Sequence, residues 1–232
     1  MNLDLAPEHE LTRTTVRDYA VARIAPVAEE LDRESRFPYE IVADLAELGL
    51  MGIPIPETYG GSGGDTLSYA IAIEELTRID SSVGATVAAH TSLGTMPIYQ
   101  FGDAGQREEW LPDLASGRRL AAFGLTETSS GSDAGAVATR ADSVEDGWRV
   151  NGSKMFITNA GTDITACVTI TAVTGERDGR PEISNIIIPN GTAGYHVSEP
   201  LKKMGWRASD TRELSFHDCL TPRRNLLGVR GQ

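Results

Sequence analysis

Residues Leu120 to Asp133 read L-A-A-F-G-L-T-E-T-S-S-G-S-D. The first half is short and apolar without helical spacing, as in a buried strand. The second half is hydroxyl, glycine and carboxylate, the composition of an exposed loop with a bare backbone. A strand that runs into such a loop gathers a ladder edge, free N–H groups and hydroxyls in one place. That combination suits a flat polar ligand or a phosphate. It equally suits a plain serine-rich turn, and the stretch alone does not choose.

A second stretch, Trp148 to Asn159, reads W-R-V-N-G-S-K-M-F-I-T-N. Asn151-Gly152 predicts a hairpin, because both residues tolerate the positive φ of a type I′ turn. On the strand leaving that turn, alternation places Phe156 and Thr158 on one face. Further strands are expected over Val137–Arg140, Ile164–Val173, Ile183–Ile188 and Thr211–Phe216. Short strands with turn signals about ten residues apart predict a small barrel or sandwich.

Residues before Gly117 have a different texture. Ile24, Val27, Ala28 and Leu31 form a helical stripe that Pro26 caps or kinks. Ile41, Val42, Leu45 and Leu48 form another, with Gly49 placed to end it. Leu50–Asp65 holds two prolines and five glycines and reads as a loop. Asp65, Ser81/Ser82 and Asp103 are the expected caps of the helices that follow, and Gly117 ends the last. The fold class is therefore α+β: an all-α helical bundle over residues 1–118, then an antiparallel β-barrel domain over 119–232.

The chain has 232 residues and a net charge of −12, from 21 Lys and Arg against 33 Asp and Glu. No basic cluster suggests nucleic acid. The first ten residues are acidic, unlike a secretory or mitochondrial presequence, so a cytoplasmic protein is expected. The longest apolar run, Ile164–Val173, contains three threonines and is too short to span a bilayer. Cys167 and Cys219 are expected as buried thiols, not a disulfide. The four histidines lack metal-ligand spacing, so no metal is expected. No strand–G-x-G-x-x-G–helix unit is present, which argues against a nicotinamide site.

T-E-x-x-x-G-S-D followed by V-N-G-x-K-x-F-I-T-N resembles the acyl-CoA dehydrogenase family. Tyr59–Asp65, Glu74–Asp80, Phe101–Gly117 and Lys203–Thr211 resemble it too, in family order. The resemblance implies FAD as cofactor. It places Phe123, Leu125 and Thr126 on the pyrimidine side of the flavin and Phe156, Ile157 and Thr158 on the other edge, with the Thr158 hydroxyl near N5. Gly131 and Ser132 would meet FAD phosphate, and Ser132 also the CoA part of the substrate. Phe156 stands where the family often has Trp. Arg207 and Asp210 are read as a structural loop pair, and Asp133 as a turn cap. Two positions depart from the family: Thr128 replaces Pro and Ser129 replaces Gly, so strain is expected if Ser129 must adopt a glycine-type φ.

The reaction implied is α,β-dehydrogenation of an acyl-CoA thioester, with hydride passing to FAD N5 and electrons then to an electron-transfer flavoprotein. The family's catalytic glutamate lies in a further helical domain outside this chain, so no catalytic base is named. A homo-oligomer, tetramer or dimer, is implied for the full-length protein. Residues 1–232 alone are expected to bind FAD weakly, to associate and to show no turnover. Glu57, Glu127 and Asp133 are the carboxylates in or beside the loops expected near the flavin. A non-catalytic module of the same ancestry, or a related flavin oxidase or monooxygenase, stays open at this point.

Overall fold

The computed structural model describes residues 4–231. Helix α1 (Pro7–Tyr19) opens on a proline, whose missing N–H costs nothing in the first turn. A π-turn over Ala20–Ile24 follows, and Ala25 N–H donates to the Ala20 carbonyl. The break expected at Pro26 lies between this turn and α2 (Ala28–Glu34). Helix α3 (Tyr39–Glu47) buries Ile41, Val42 and Leu45, and the chain leaves it through Gly49 at φ +72°. Short 3₁₀ turns at Leu50–Gly52 and Glu57–Tyr59 punctuate the glycine-rich loop.

Asp65 caps α4 (Thr66–Ile79), its carboxylate accepting from Ser68 N–H at 2.7 Å. Helix α5 (Ser81–Ala88) is capped by Asp80, not by Ser81 or Ser82. The Asp80 backbone is extended, and its carboxylate accepts from both Ser82 and Val83 N–H. A carboxylate one residue earlier is the stronger acceptor for these donors. A second π-turn, Ala89–Thr95, leads into α6 (Met96–Phe101). An Asp103–Gln106 capping box starts α7 (Ala104–Ala115), and Gly117 at φ +74° ends it.

The strands are β1 (Leu120–Gly124), β2 (Arg140–Val144), β3 (Gly147–Thr158), β4 (Thr165–Arg177), β5 (Arg180–Pro189), β6 (Tyr195–Val197), β7 (Thr211–Pro222) and β8 (Leu226–Leu227). They form one sheet in the order β6-β7-β3-β2-β4-β5-β8, with β1 also alongside β4. The antiparallel expectation needs correction. β1 runs parallel to β4, from Leu120 opposite Thr165 to Gly124 opposite Ile170, and β2 meets β4 in parallel at Arg140 and Val173. The loop and the β2–β3 pair between β1 and β4 supply the long crossover that parallel pairing demands. The path is also open: among the described residues no ladder joins β8 to β6, so the expected closure into a barrel is not seen.

The hairpin falls earlier than Asn151-Gly152. β2 turns into β3 at Glu145-Asp146, with Val144 opposite Gly147, and β3 runs straight through the Asn-Gly pair. Gly152 is needed there for proximity. A Cβ on it would lie 2.5 Å from Thr139 Oγ1 and 2.7 Å from Thr139 Cα. The Asn151 amide is engaged across the sheet, accepting from Asp218 N–H at 2.9 Å. The strand expected from Val137 begins only at Arg140.

Helices and sheet share their cores. Leu120 packs into the cluster of α1, α3, α4 and α5 built on Val16, Leu45 and Leu76. Ile98, Leu111 and Leu114 pack on Ala121, Cys167, Ile187 and Leu227 of the sheet. The opposite sheet face buries Val150, Ile170, Ile186 and Phe216. Both cysteines are free and buried, and burial raises the Cys167 thiol to about 12 and that of Cys219 to about 11. No helix among the described residues is long and apolar enough to cross a membrane.

Helix and sheet approach closely at Gly94 in the second π-turn, where a Cβ would stand 2.4 Å from the Ala121 carbonyl oxygen. Gly94→Ala is expected to destabilise the fold by about 1–3 kcal/mol, since the backbone it meets cannot yield cheaply. Gly105→Ala, which meets only an Asp103 oxygen at 3.4 Å, should leave the urea midpoint unchanged or raise it. Equal effects of the two substitutions would refute the packing argument.

Candidate functional site

The site region begins where β1 leaves the helices. Ala121 N–H donates to His90 Nδ1 at 3.1 Å, and His90 Nε2 lies 3.0 Å from the Leu114 carbonyl. Only one tautomer satisfies both contacts: Nδ1 accepts, and Nε2 carries the proton and donates. Complete burial pushes the imidazole down to about 4, so it is neutral near pH 7. His90 thereby fixes the start of β1 against α7.

Beyond β1 the chain continues through Leu125 and Thr126, both half-buried. Met155 N–H donates to the Thr126 carbonyl at 2.8 Å. With the Lys154 ammonium on the Leu125 carbonyl, this bond lays residues 125 and 126 beside residues 154 and 155; Phe123 precedes the first pair on β1, and Phe156, Ile157 and Thr158 follow the second on β3. Between Lys154 and Ile157 the β3 register shifts against β7, and Phe156 adopts φ +60°. Phe156 is thrown outward, 62% exposed, and Thr158 is half-buried on the same side. Ile157 turns into the core, so its side chain does not face the site. The hydroxyls of Thr126, Thr158 and Ser132 make no hydrogen bond to any described residue.

Gly131 and Ser132 are exposed in the loop that follows. That loop is held by Glu127 N–H to the Ser130 carbonyl (2.7 Å), Ser130 Oγ–H to the Asp133 carbonyl (2.9 Å) and Gly135 N–H to Asp133 Oδ1 (3.1 Å). Asp133 is thus a turn cap. Ser129 is not among the positive-φ residues, so its replacement of glycine brings no strain. Arg207 and Asp210 do not pair with each other. Arg207 contacts Asp32 of α2, whereas Asp210 binds Arg212 and the Gly161 N–H.

The sequence reading passed over the most buried charge in the molecule. Lys154 is 0% exposed, and its ammonium donates to Glu127 Oε1 at 2.6 Å, Thr171 Oγ1 at 3.0 Å and the Leu125 carbonyl at 3.2 Å. Glu127 also accepts from Ala138 and Thr139 N–H. Burial drives the Glu127 carboxyl upward, but these donors and Lys154 outweigh it and hold it below the usual carboxylate range. Burial pushes Lys154 down from its ordinary value, opposed by Glu127. Strand parity carried the signal, since Trp148, Val150 and Lys154 share one inward face. Glu127 is therefore committed to a buried pair.

A cleft of about 380 Å³ lies where α6 and β8 approach the far end of β1, lined by Pro97, Phe101, Phe123, Asn185, Leu227 and Val229. A more polar one of about 280 Å³ runs past Thr128, Ser153, His196 and Glu213. Thr126 and Thr158 line neither. Thr126 lies just past the end of β1, and Thr158 lies at the end of β3, opposite Thr211 of β7.

This architecture, a helical layer followed by a mixed sheet, has known counterparts. Residues 6–118 match the acyl-CoA dehydrogenase N-terminal domain and residues 122–219 the acyl-CoA dehydrogenase middle domain. The chain belongs to the acyl-CoA dehydrogenase family. It is 47% identical over 229 residues to a probable acyl-CoA dehydrogenase, YngJ, of Bacillus subtilis, covering 98% of this chain and 60% of that protein. It superposes on butyryl-CoA dehydrogenase of Megasphaera elsdenii with a TM-score of 0.93 at 37% identity, covering 100% of this chain and 61% of that one. It also superposes on an acyl-CoA dehydrogenase of Bacillus anthracis complexed with FAD, with a TM-score of 0.89 at 35% identity, covering 98% and 39%. The chain thus spans about 60% of the length of the curated relative and of the butyryl-CoA enzyme.

His90 gives this region a pH dependence. Its folded pKa, about 4, lies below the ordinary histidine value, so between about pH 6.5 and pH 4 the unfolded chain binds the extra proton. Stability falls as pH drops through that window, by about 2 kcal/mol at pH 5 relative to pH 7. His90→Gln, which cannot titrate, should flatten the dependence of the urea midpoint on pH over this range. A slope identical to the parent's would refute the assignment.

Proposed function

We propose that this chain forms the flavin-edge part of an FAD-dependent acyl-CoA dehydrogenase, with a helical domain over residues 1–118 and a middle β domain over 119–232. The observation that carries this reading is the pair of unpartnered hydroxyls, Thr126 and Thr158, on two neighbouring segments joined by the Met155–Thr126 hydrogen bond. A flat heterocycle with donors and acceptors on opposite edges needs groups of this kind, together with apolar cover. The exposed ring of Phe156 and the half-buried ring of Phe123 supply that cover. The residues fit FAD.

FAD, when bound, supplies the two-electron acceptor for a hydride leaving the substrate β-carbon. The chain's own part is to bind and orient. Phe123, Leu125 and Thr126 would hold one edge of the ring, and Phe156, the Ile157 backbone and Thr158 the other. The Thr158 hydroxyl would stand at the atom that takes the hydride, able to donate to it before transfer and to accept from its N–H afterwards. Gly131 and Ser132 offer an uncluttered backbone and a free hydroxyl to phosphate, and Ser132 also meets the CoA moiety. No side chain of this chain is assigned as the base that takes the α proton. Glu127 is held by Lys154 and two backbone amides, and Asp133 caps its turn.

The substrate is an acyl-CoA thioester, in keeping with the named relatives. Electrons leave to an electron-transfer flavoprotein, and the whole protein is a cytoplasmic homo-oligomer, a tetramer or dimer.

The whole gene product is expected to purify yellow and to reduce an artificial electron acceptor when given acyl-CoA thioesters, without nicotinamide. Thr158→Ala should weaken FAD binding about tenfold or shift its reduction potential, the scale of one lost hydrogen bond of about 1.4 kcal/mol. Parent-like affinity, spectrum and potential in that variant would remove Thr158 from the site.

A further inference from the structure

We propose that Lys154 and Glu127 are the positioning residues of the flavin edge, clamping the backbone on either side of Thr126 so that its free hydroxyl lines up with β3. The inference rests on the FAD reading above. It begins from geometry. The Lys154 ammonium reaches the Leu125 carbonyl at 3.2 Å and the Glu127 carboxylate at 2.6 Å, the residues immediately before and after Thr126. Its third donor goes to Thr171 Oγ1 of β4 at 3.0 Å. Met155, the next residue on β3, holds the Thr126 carbonyl itself at 2.8 Å. Three consecutive residues, 125 to 127, are therefore fixed by two consecutive residues, 154 and 155. Among the groups of Thr126 named here, only the hydroxyl lacks a partner.

Stability alone does not call for an ion pair here. An apolar pair of similar volume fills a core without the desolvation penalty, and such replacements are often neutral or stabilising. What apolar side chains cannot do is hold two acceptors two residues apart at fixed points. The ammonium does, and Glu127 carries the constraint onward to the Ala138 and Thr139 amides, which close the loop containing Gly131 and Ser132. The charges are balanced at short range, so the pair presents only a local dipole to the edge. Removing either member leaves one uncompensated buried charge behind a ring that becomes more negative on reduction.

The test uses the whole gene product with its FAD. Lys154→Met should move the flavin reduction potential negative and Glu127→Gln should move it positive. A tenfold change in the relative affinity for reduced and oxidised flavin is about 30 mV in a two-electron couple. The double variant Lys154→Met/Glu127→Gln carries no stranded charge and is expected to fold, with a cooperative melt and parent-like far-ultraviolet circular dichroism. It should bind FAD at least tenfold more weakly, and the Met155 amide should exchange with deuterium faster. Should the single variants not fold, the double variant decides alone. Parent-like FAD affinity and Met155 protection in a folded double variant, or potential shifts of the same sign in both single variants, would reduce the pair to maintenance of the fold and overturn the proposal. Failure of the parent protein itself to take up FAD would instead sink the flavin reading, and this inference with it.

Discussion

A lysine with no exposed surface is the constraint around which the sheet is arranged. An ammonium in a protein interior is tolerable only when each of its donors is used and a counter-charge is close. Lys154 meets that condition by drawing acceptors from the extension of β1, the loop after it and β4. Glu127 meets its own by recruiting the amides at the entry to β2. Satisfying one buried pair therefore sets the spacing of four chain segments. Loss of one partner from such a pair typically costs about 3–5 kcal/mol, more than a single apolar contact contributes. The parallel placement of β1 beside β4 follows the same logic, since Lys154 reaches Thr171 across the end of that pairing.

Much of the fold was legible because local rules and global packing agree over most of the chain. The stripes at Ile41, Val42 and Leu45 are buried, Gly49 and Gly117 take the left-handed conformation, and Asp65 and Asp103 cap their helices. Two readings failed where a distant partner overrode a local preference, whereas the cap of α5 moved by only one residue, to Asp80. Asn151-Gly152 has strong turn propensity, yet Thr139 packs against Gly152 and Asp218 engages Asn151, so the strand runs on. The direction of β1 depends on a partner some 45 residues away, as in Leu120 opposite Thr165, and no residue pattern in β1 encodes it. The candidate site was legible as two motifs but not as a surface. That these two segments meet depends on contacts made only in the folded chain, Met155 to Thr126 and Lys154 to Leu125, and that Lys154 lies buried depends on strand parity overruling the usual fate of a lysine.

The helices do more than cover the sheet. Leu120 sits in the helical core, Ala121 bonds to His90, and Ala121 and Cys167 pack on α6 and α7. The first residues of β1 therefore belong physically to the helical layer, and residues 123–126 just beyond them carry part of the candidate site. Any shift of α7 against the sheet would be transmitted to that strand edge.

The open ends of the sheet bear on how the molecule behaves in a crowd. A long, bare strand edge offers unpaired amides and carbonyls to any other extended chain. Here one terminal strand, β6, is only three residues long. The outer edge of β5 is overlaid by the returning segment 221–231. There β8 pairs with Asn185 and Ile186, Asn225 donates its amide to the Ile187 carbonyl, Gly231 N–H donates to Ser184 Oγ, and Arg230 reaches Glu182. The segment acts as a selvage on woven cloth, stopping the ladder from being extended by a stranger. Whatever this protein recruits on that side, it must recruit through side chains and not by adding a strand.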